Sequence, residues 1–279
     1  MVLQNQLFSP GMPYEFHTDH AFYLSFLAEN TRKSIIPFVQ PALPVPLAQA
    51  RVLELGCGEG GNLLPFAEAG AHCTGIDLNK VKIEAGKEIM SHWVQAGKME
   101  LFAEDIFNPA IEAAFTGKFH LIVLKDVIEH IPNKDKALAQ MRRFLTDDGL
   151  LFIGWPPWRM PFGGHQQIAQ SKLLQKLPWF HLLPKGLYVA MLKAFNEPKE
   201  VVDELAEIHD YRVSIAQLNR LYKAAGFVMN RELHYFINPI YEHKFGLKTR
   251  EQFGLIRRLP WVRDFFTTSC YYLLAKAKG

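Results

Sequence analysis

Cysteine is scarce: Cys57, Cys73 and Cys270 are the only three in 279 residues, and no two form a CxxC pair. An odd number at such spacings excludes a disulfide framework and a zinc knuckle and fits a reducing compartment, so a cytoplasmic location is expected. The opening MVLQNQLFSPGMPYEF has no charged region followed by an apolar one, and no secretory leader is read there. No apolar run reaches the length of a membrane span. The longest, around His181 to Phe195, is broken by Pro184, Lys185, Gly186 and Lys193, which leaves only peripheral membrane contact open. Charge of one sign is also lacking. A formal net charge of +3 creates no field that selects nucleic acid or an acidic surface and leaves a small or neutral partner favoured.

What is present is a globular composition, 49% hydrophobic and 21% charged, without low-complexity blocks or repeats. One α/β core with an insertion accounts for the length. Residues 1–50 read as a cap helix, with apolar positions from Phe22 to Ile36, and a PALPVP linker. Short apolar strands then alternate with helical stretches. RVLEL (51–55) leads into GCGEGG and a helix over 62–69; AHCTGID ends at Asp77; a helix runs to Gly97. MELFAED and FHLIVLKD end at Asp105 and Asp126, and Asn133 is placed to cap a helix through Leu145 before LLFIGW. Such alternation implies a parallel sheet with ligands at the strands' carboxyl ends. Over 156–210 it lapses into a proline- and aromatic-rich, helical insertion. A helix after Ser214, the strand GFVMNRELHYFI and a last strand TSCYYLLAKAK, able to enter antiparallel, complete a core of 51–155 and 211–279.

In LELGCGEGG, Gly56, Gly58 and Gly60 follow a strand and precede a helix, where missing side chains let the backbone approach a ligand. Gly56, Gly58 and Gly61 also satisfy GxGxxG, so an NAD(P)-dependent oxidoreductase is a competing reading. Glu54 favours a cofactor with a cationic amino acid portion, because a carboxylate there repels pyrophosphate. Asp77 suits ribose hydroxyls in either reading. Asp105, followed by Ile106 and Phe107, suits the edge and face of an adenine. As isolated residues, Asp77 and Asp105 are equally at home as turn or capping residues.

The ordered series VLELGCGEGG, GIDLN, AEDI, FHLIVLKDVIEHI and LTDDGLLFI resembles the motifs of class I S-adenosylmethionine-dependent methyltransferases, over roughly residues 50 to 155. The resemblance implies a Rossmann-like, doubly wound, mostly parallel seven-stranded sheet with an antiparallel last strand and a helical insertion after strand 5. It implies S-adenosylmethionine as cofactor. Glu54, Gly56, Cys57 and Gly58 would line its methionine portion, Asp77 and Leu78 the ribose, Asp105 and Ile106 the adenine, and Lys125 the approach to the sulfonium. DVIEH (126–130) is similar to the acidic-x-x-Glu-His segment of ubiquinone-pathway O-methyltransferases and small-RNA 2′-O-methyltransferases, which holds a divalent cation. Here Asp126 stands where a glutamate is usual. Many class I methyltransferases carry the same turn without metal, with the histidine as a structural hydrogen-bonding residue.

If that segment forms a helical turn, Asp126, Glu129 and His130 face one way. His165, after two glycines, would complete a metal set of two carboxylates and two histidines. A hydroxyl acceptor also needs a proton acceptor, and His130 or His165, with an ordinary imidazole pKa near ~6.5, is available without tuning. Trp155, Trp158, Phe162, Trp179, Phe180, Tyr188 and Phe195 supply aromatic surface, either to wall a hydrophobic acceptor as a lid or to form the insertion's own core. The leading expectation is methyl transfer to a small-molecule or lipid-like acceptor, with oxygen preferred. RNA methylation and a noncatalytic cofactor-binding subunit are the remaining readings.

Overall fold

The computed structural model describes residues 20–278, so the reading of the first residues lies outside them. Eight strands form one sheet in the order β3-β2-β1-β4-β5-β8-β6-β7. Strands β1 (Arg51–Leu55), β2 (His72–Ile76), β3 (Met99–Phe102), β4 (Phe119–Lys125) and β5 (Leu145–Trp155) are mutually parallel. β6 (Phe227–Ile237) lies beyond β8 (Ser269–Lys276), which runs antiparallel to both β5 and β6. The eighth strand, absent from the seven expected, is a two-residue edge pairing, β7 (Arg250–Glu251).

The central strands are buried on both faces, which is why they read as near-continuous apolar runs. On one face Leu53, Leu55, Ile122 and Leu124 pack among buried residues of three helices named below, including Phe115, Met141 and Leu218. On the other, Val52, Leu121, Val123 and Phe152 meet Phe38, Phe66 and Ile83. The N-terminal helix α1 (His20–Asn30) runs through a π-helical turn, Thr31–Ile35, into a further turn, Ile36–Val39, before the linker. After β1 comes the short α2 (Leu64–Glu68), which starts two residues later than the sequence implied. The long helix expected next is broken at Met90 into α3 (Lys80–Ile89) and a second piece, Ser91–Gln95. Asn79 caps α3 by accepting a bond from the Lys82 N–H, 3.1 Å. α4 (Pro109–Phe115) and α5 (Lys134–Phe144) complete the first half, and Asn133 precedes α5 without a side-chain cap bond.

The stretch after β5 carries α6 (Lys172–Lys176), α7 (Lys185–Ala194) and α8 (Lys199–Tyr211), which bury Tyr188, Leu192, Val201 and Leu205 among themselves. Its aromatics therefore divide. Phe180 and Tyr188 are core, Phe162, Trp179 and Phe195 are exposed, and Trp155 ends β5 fully buried against Tyr272. α9 (Ile215–Ala224) begins at Ser214 with the reciprocal Ser214–Gln217 capping box. Between β6 and β8 lies a second excursion, containing α10 (Ile240–Phe245), α11 (Gly254–Arg257) and α12 (Val262–Phe265), which the sequence reading left unassigned. Because β6 runs parallel to β5, this excursion leaves the sheet at the same carboxyl edge as the first.

Candidate functional site

Strand order reverses between β1 and β4, and in open α/β sheets the crevice at that point takes the ligand. β1 ends in a bend where Gly56, Gly58 and Gly60 all have positive φ, at 67°, 52° and 87°. A Cβ on Gly56 would lie 2.6 Å from a Val127 methyl. Gly56→Ala is therefore expected to cost about 1–3 kcal/mol, read by thermal melting; an unchanged transition would show that the bend tolerates a side chain.

Glu54, the fourth residue of β1, is buried at the foot of this bend. Its Oε1 accepts from Asn62 Nδ2 at 2.7 Å, and Asn62 Oδ1 in turn accepts from the Thr31 hydroxyl at 3.1 Å. Its Oε2 has no hydrogen-bond partner among the described residues. Burial, partly offset by Asn62, pushes the carboxyl up to about 8. Asp77, just past β2, is half-buried and closes the bend. Its Oδ2 accepts from the Gly58 N–H at 2.9 Å and its Oδ1 from the Asn79 N–H at 2.8 Å. The turn-residue role considered for Asp77 is thus real, and the same bonds fix its carboxylate beside the glycines. Leu78 next to it is 77% exposed, an apolar flap over open space.

Asp105 sits three residues beyond β3, exposed, with Oδ1 accepting from the Phe107 N–H at 2.9 Å. Ile106 packs partly into the core below it. The Cys57 thiol faces inward, where a Cβ on Gly75 would come within 2.6 Å of it, and burial raises its pKa far above the ordinary value. Any role for Cys57 toward a ligand falls to its backbone.

At the end of β4, Lys125 is buried and pairs with the Asp126 carboxylate. Gly154 on β5 leaves it room, since a Cβ there would lie 2.8 Å from Lys125 Cδ. The helical turn expected for DVIEH is a 3-10 turn limited to Ile128–His130. Asp126 precedes it at φ +54° and pairs with Lys125, and it lies outside the group that Glu129 and His130 form with His165. Glu129, His130 and His165 alone converge, with their ligand atoms all within 4.8 Å of one another. His165 Nε2 lies 3.9 Å from Glu129 Oε1, and the two imidazole centroids are 5.1 Å apart. His165 reaches this place from a left-handed backbone position, φ 54°. The insertion is held over the turn where Lys134 Nζ donates to the backbone oxygens of Ile131 and Tyr211.

Glu129 is buried with neither carboxylate oxygen hydrogen-bonded among the described residues, and desolvation, reinforced by the Asp126 charge, pushes it up to about 8. Desolvation lowers His130, so the imidazole is neutral at neutral pH. Two further residues feel the charges at this centre. Tyr23 on α1 and Tyr241 on α10 are both raised to about 12, first by burial and next by the Asp126 charge, and both also feel Lys125. The sequence held no signal for these two. They lie 218 positions apart in unrelated patterns, and only the fold brings both to the end of β4.

Residues 27–232 match the type 23 model of the methyltransferase-domain family. The chain belongs to the class I S-adenosylmethionine-dependent methyltransferase family. The ubiquinone biosynthesis O-methyltransferase of Bartonella bacilliformis is 28% identical to this methyltransferase domain over 194 residues, 67% of this chain and 71% of that one. An uncharacterized protein of Rickettsia prowazekii is 33% identical over 154 residues, 48% of this chain. The chain covers 60% of that relative's length and 21% of a second rickettsial relative's. Among solved structures, geranyl diphosphate methyltransferase in complex with SAM aligns with a TM-score of 0.55 at 14% identity, covering 97% of this chain and 94% of that one. PKMT2 of Rickettsia typhi in complex with AdoHcy aligns at 0.52 and 18% identity, covering 91% and 53%. These likenesses are of fold. The family match favours the methyl donor over the nicotinamide cofactor in the glycine-lined crevice.

Proposed function

We propose that this methyltransferase transfers the methyl group of S-adenosylmethionine to a hydroxyl oxygen of a small-molecule or lipid-like acceptor. The observation that carries the reading is the convergence of Glu129, His130 and His165 beside the Lys125–Asp126 pair, at the carboxyl edge of the switch-point strands. The similarity to ubiquinone biosynthesis O-methyltransferases at 26–28% identity supports oxygen as the acceptor atom.

The donor's binding residues follow from the crevice. Glu54 Oε2, buried without a partner, is placed for the ammonium of an amino acid tail, and gaining a cation there converts Glu54 to its charged form. The bend at Gly56 and Gly58 admits that tail without side-chain obstruction. Asp77 retains unused lone pairs for ribose hydroxyls, with Leu78 beside it, and Asp105 and Ile106 stand at the adenine end. When bound, the donor supplies an electrophilic methyl carbon on sulfur. His130 or His165 removes the acceptor's proton, the oxygen's lone pair forms the new O–C bond, and the C–S electrons leave with sulfur. Lys125 reaches the same place with its charge already balanced by Asp126, so it orients without repelling a sulfonium.

Two imidazoles and a buried carboxylate with free oxygens also fit a divalent cation of borderline character. Glu129, His130 and His165 would hold it, and its chemistry there would be to acidify the acceptor hydroxyl. Chelation is expected to lower turnover at least tenfold, with recovery on adding Mn²⁺ or Zn²⁺. Full turnover after chelation, with no metal found by elemental analysis, removes the cation and leaves the histidines as the base. The function itself is tested by donor-dependent release of S-adenosylhomocysteine with phenolic, catecholic and quinol acceptors. Products methylated only on nitrogen or carbon would overturn it, and donor binding without any product would favour the noncatalytic subunit.

A further inference from the structure

The excursion between β6 and β8 has no role in the chemistry above, yet its tip gathers large apolar side chains in solvent. Over 14 residues it presents Phe253, Leu255, Leu259, Trp261, Val262 and Phe266 to solvent, with Leu255 76% and Trp261 70% exposed. Soluble monomers rarely gather large side chains this way without something to cover them. Trp261 also sits at φ +72°, a left-handed position unfavourable to a bulky residue, with its indole mostly exposed.

The surrounding charge narrows the choice of occupant. Residues 245–266 carry Lys248, Arg250, Arg257, Arg258 and Arg263 against Glu251 and Asp264. Asp264 is buried, with Arg159 3.8 Å away, and the Arg159 guanidinium stacks over the Trp261 ring at 4.6 Å. Behind the tip, a cleft of about 840 Å³ between the two excursions is bordered by Arg159, Arg212, Arg220 and Arg263. Aromatic and aliphatic side chains projecting among cations are the pattern of a segment that lies in a membrane interface. A second copy of the chain would set these arginines against one another across a symmetric contact. Nucleic acid would leave Leu255, Leu259 and Val262 without a base to stack on.

We propose that the 245–266 excursion docks this protein on an anionic phospholipid surface, with Leu255 and Trp261 entering the acyl boundary and the arginines of the tip and cleft taking headgroup phosphates. The segment between β6 and β8 leaves the sheet at its carboxyl edge, so the docked edge is the one that carries the proposed acceptor site. The docking does not depend on methyl transfer and is read without cofactor.

Cosedimentation with phosphatidylglycerol–phosphatidylcholine vesicles tests it, using the full chain. Binding is expected to fall roughly tenfold or more with phosphatidylcholine alone or at high salt, and by a similar factor in the Leu255→Ala/Trp261→Ala double variant. Both side chains are exposed, so the melting temperature should not fall. A second pair, Arg257→Glu with Arg258→Glu, should lose binding without touching the apolar tip. Three results would overturn the proposal: no cosedimentation of the wild-type chain, binding by both double variants as strong as that of the wild type, or a concentration-dependent dimer in solution that the Leu255/Trp261 variant abolishes.

Discussion

Glu54→Gln is expected to weaken binding of S-adenosylmethionine or its demethylated product by roughly ten- to a hundred-fold, the loss of one charge-assisted hydrogen bond in a buried site. Glutamine keeps the size of the side chain and an oxygen to accept from Asn62, so the Thr31–Asn62–residue 54 chain survives. What disappears is the capacity of Oε2 to become a carboxylate opposite an ammonium. The same change should alter stability in the opposite direction. A carboxyl raised to about 8 in the folded chain, against an ordinary value near 4.5, binds its proton more tightly when folded. Its stabilising contribution is complete below pH 4.5 and is lost as pH rises through about 8. Without ligand, the wild-type chain should therefore melt at lower temperature as pH climbs from 5 to 9, and Glu54→Gln should flatten that decline. Glu129, raised for the same physical reason, contributes with the same sign. A variant that binds donor as tightly as wild type would remove Glu54 from the cofactor site.

The second large effect concerns proton removal. His130→Ala is expected to reduce turnover by about 10²–10⁴-fold, the usual contribution of a positioned general base, with little change in donor affinity, since His130 belongs to the proposed acceptor site and not to the glycine-lined bend. Burial keeps His130 below the ordinary imidazole value, so it is already neutral well under pH 7. The acid limb of the wild-type pH–rate profile should accordingly fall below pH 6.5. His165→Ala in parallel separates the two histidines. If both variants keep wild-type turnover on an acceptor that the wild type methylates, neither imidazole is the base, and His130 returns to the structural role that its turn has in metal-free members of the family.

The strands and the glycine-rich bend could be read from sequence because each is a local pattern. RVLEL and FHLIVLK are buried on both faces and therefore uninterrupted in hydrophobicity, and GCGEGG follows the first of them directly. Where partners are distant in the chain, no local pattern reveals them. Nothing near Asp126 announces that a buried Lys125 will pair with it, because that depends on Gly154 of the neighbouring strand leaving space. Glu54 was visible as a carboxylate before the glycines, but its half-satisfied state depends on Asn62, which is itself held by Thr31 in a π-helical turn of the cap. The 238–268 excursion lacks a helical or strand period over any useful window, since its turns are four to six residues long and its apolar side chains face water. Patterns that depend on burial cannot reveal a surface whose apolar residues stay outside.

The central claim is that a buried, half-satisfied carboxylate under a side-chain-free bend recognises an amino-acid-bearing nucleoside. Calorimetric titration of the chain with S-adenosylhomocysteine at pH 7, in two buffers of different ionisation enthalpy, tests it directly. The account predicts saturable one-to-one binding accompanied by release of close to one proton, as Glu54 passes from acid to carboxylate against the ligand's ammonium. Absence of saturable binding, or binding with no proton released, would contradict it.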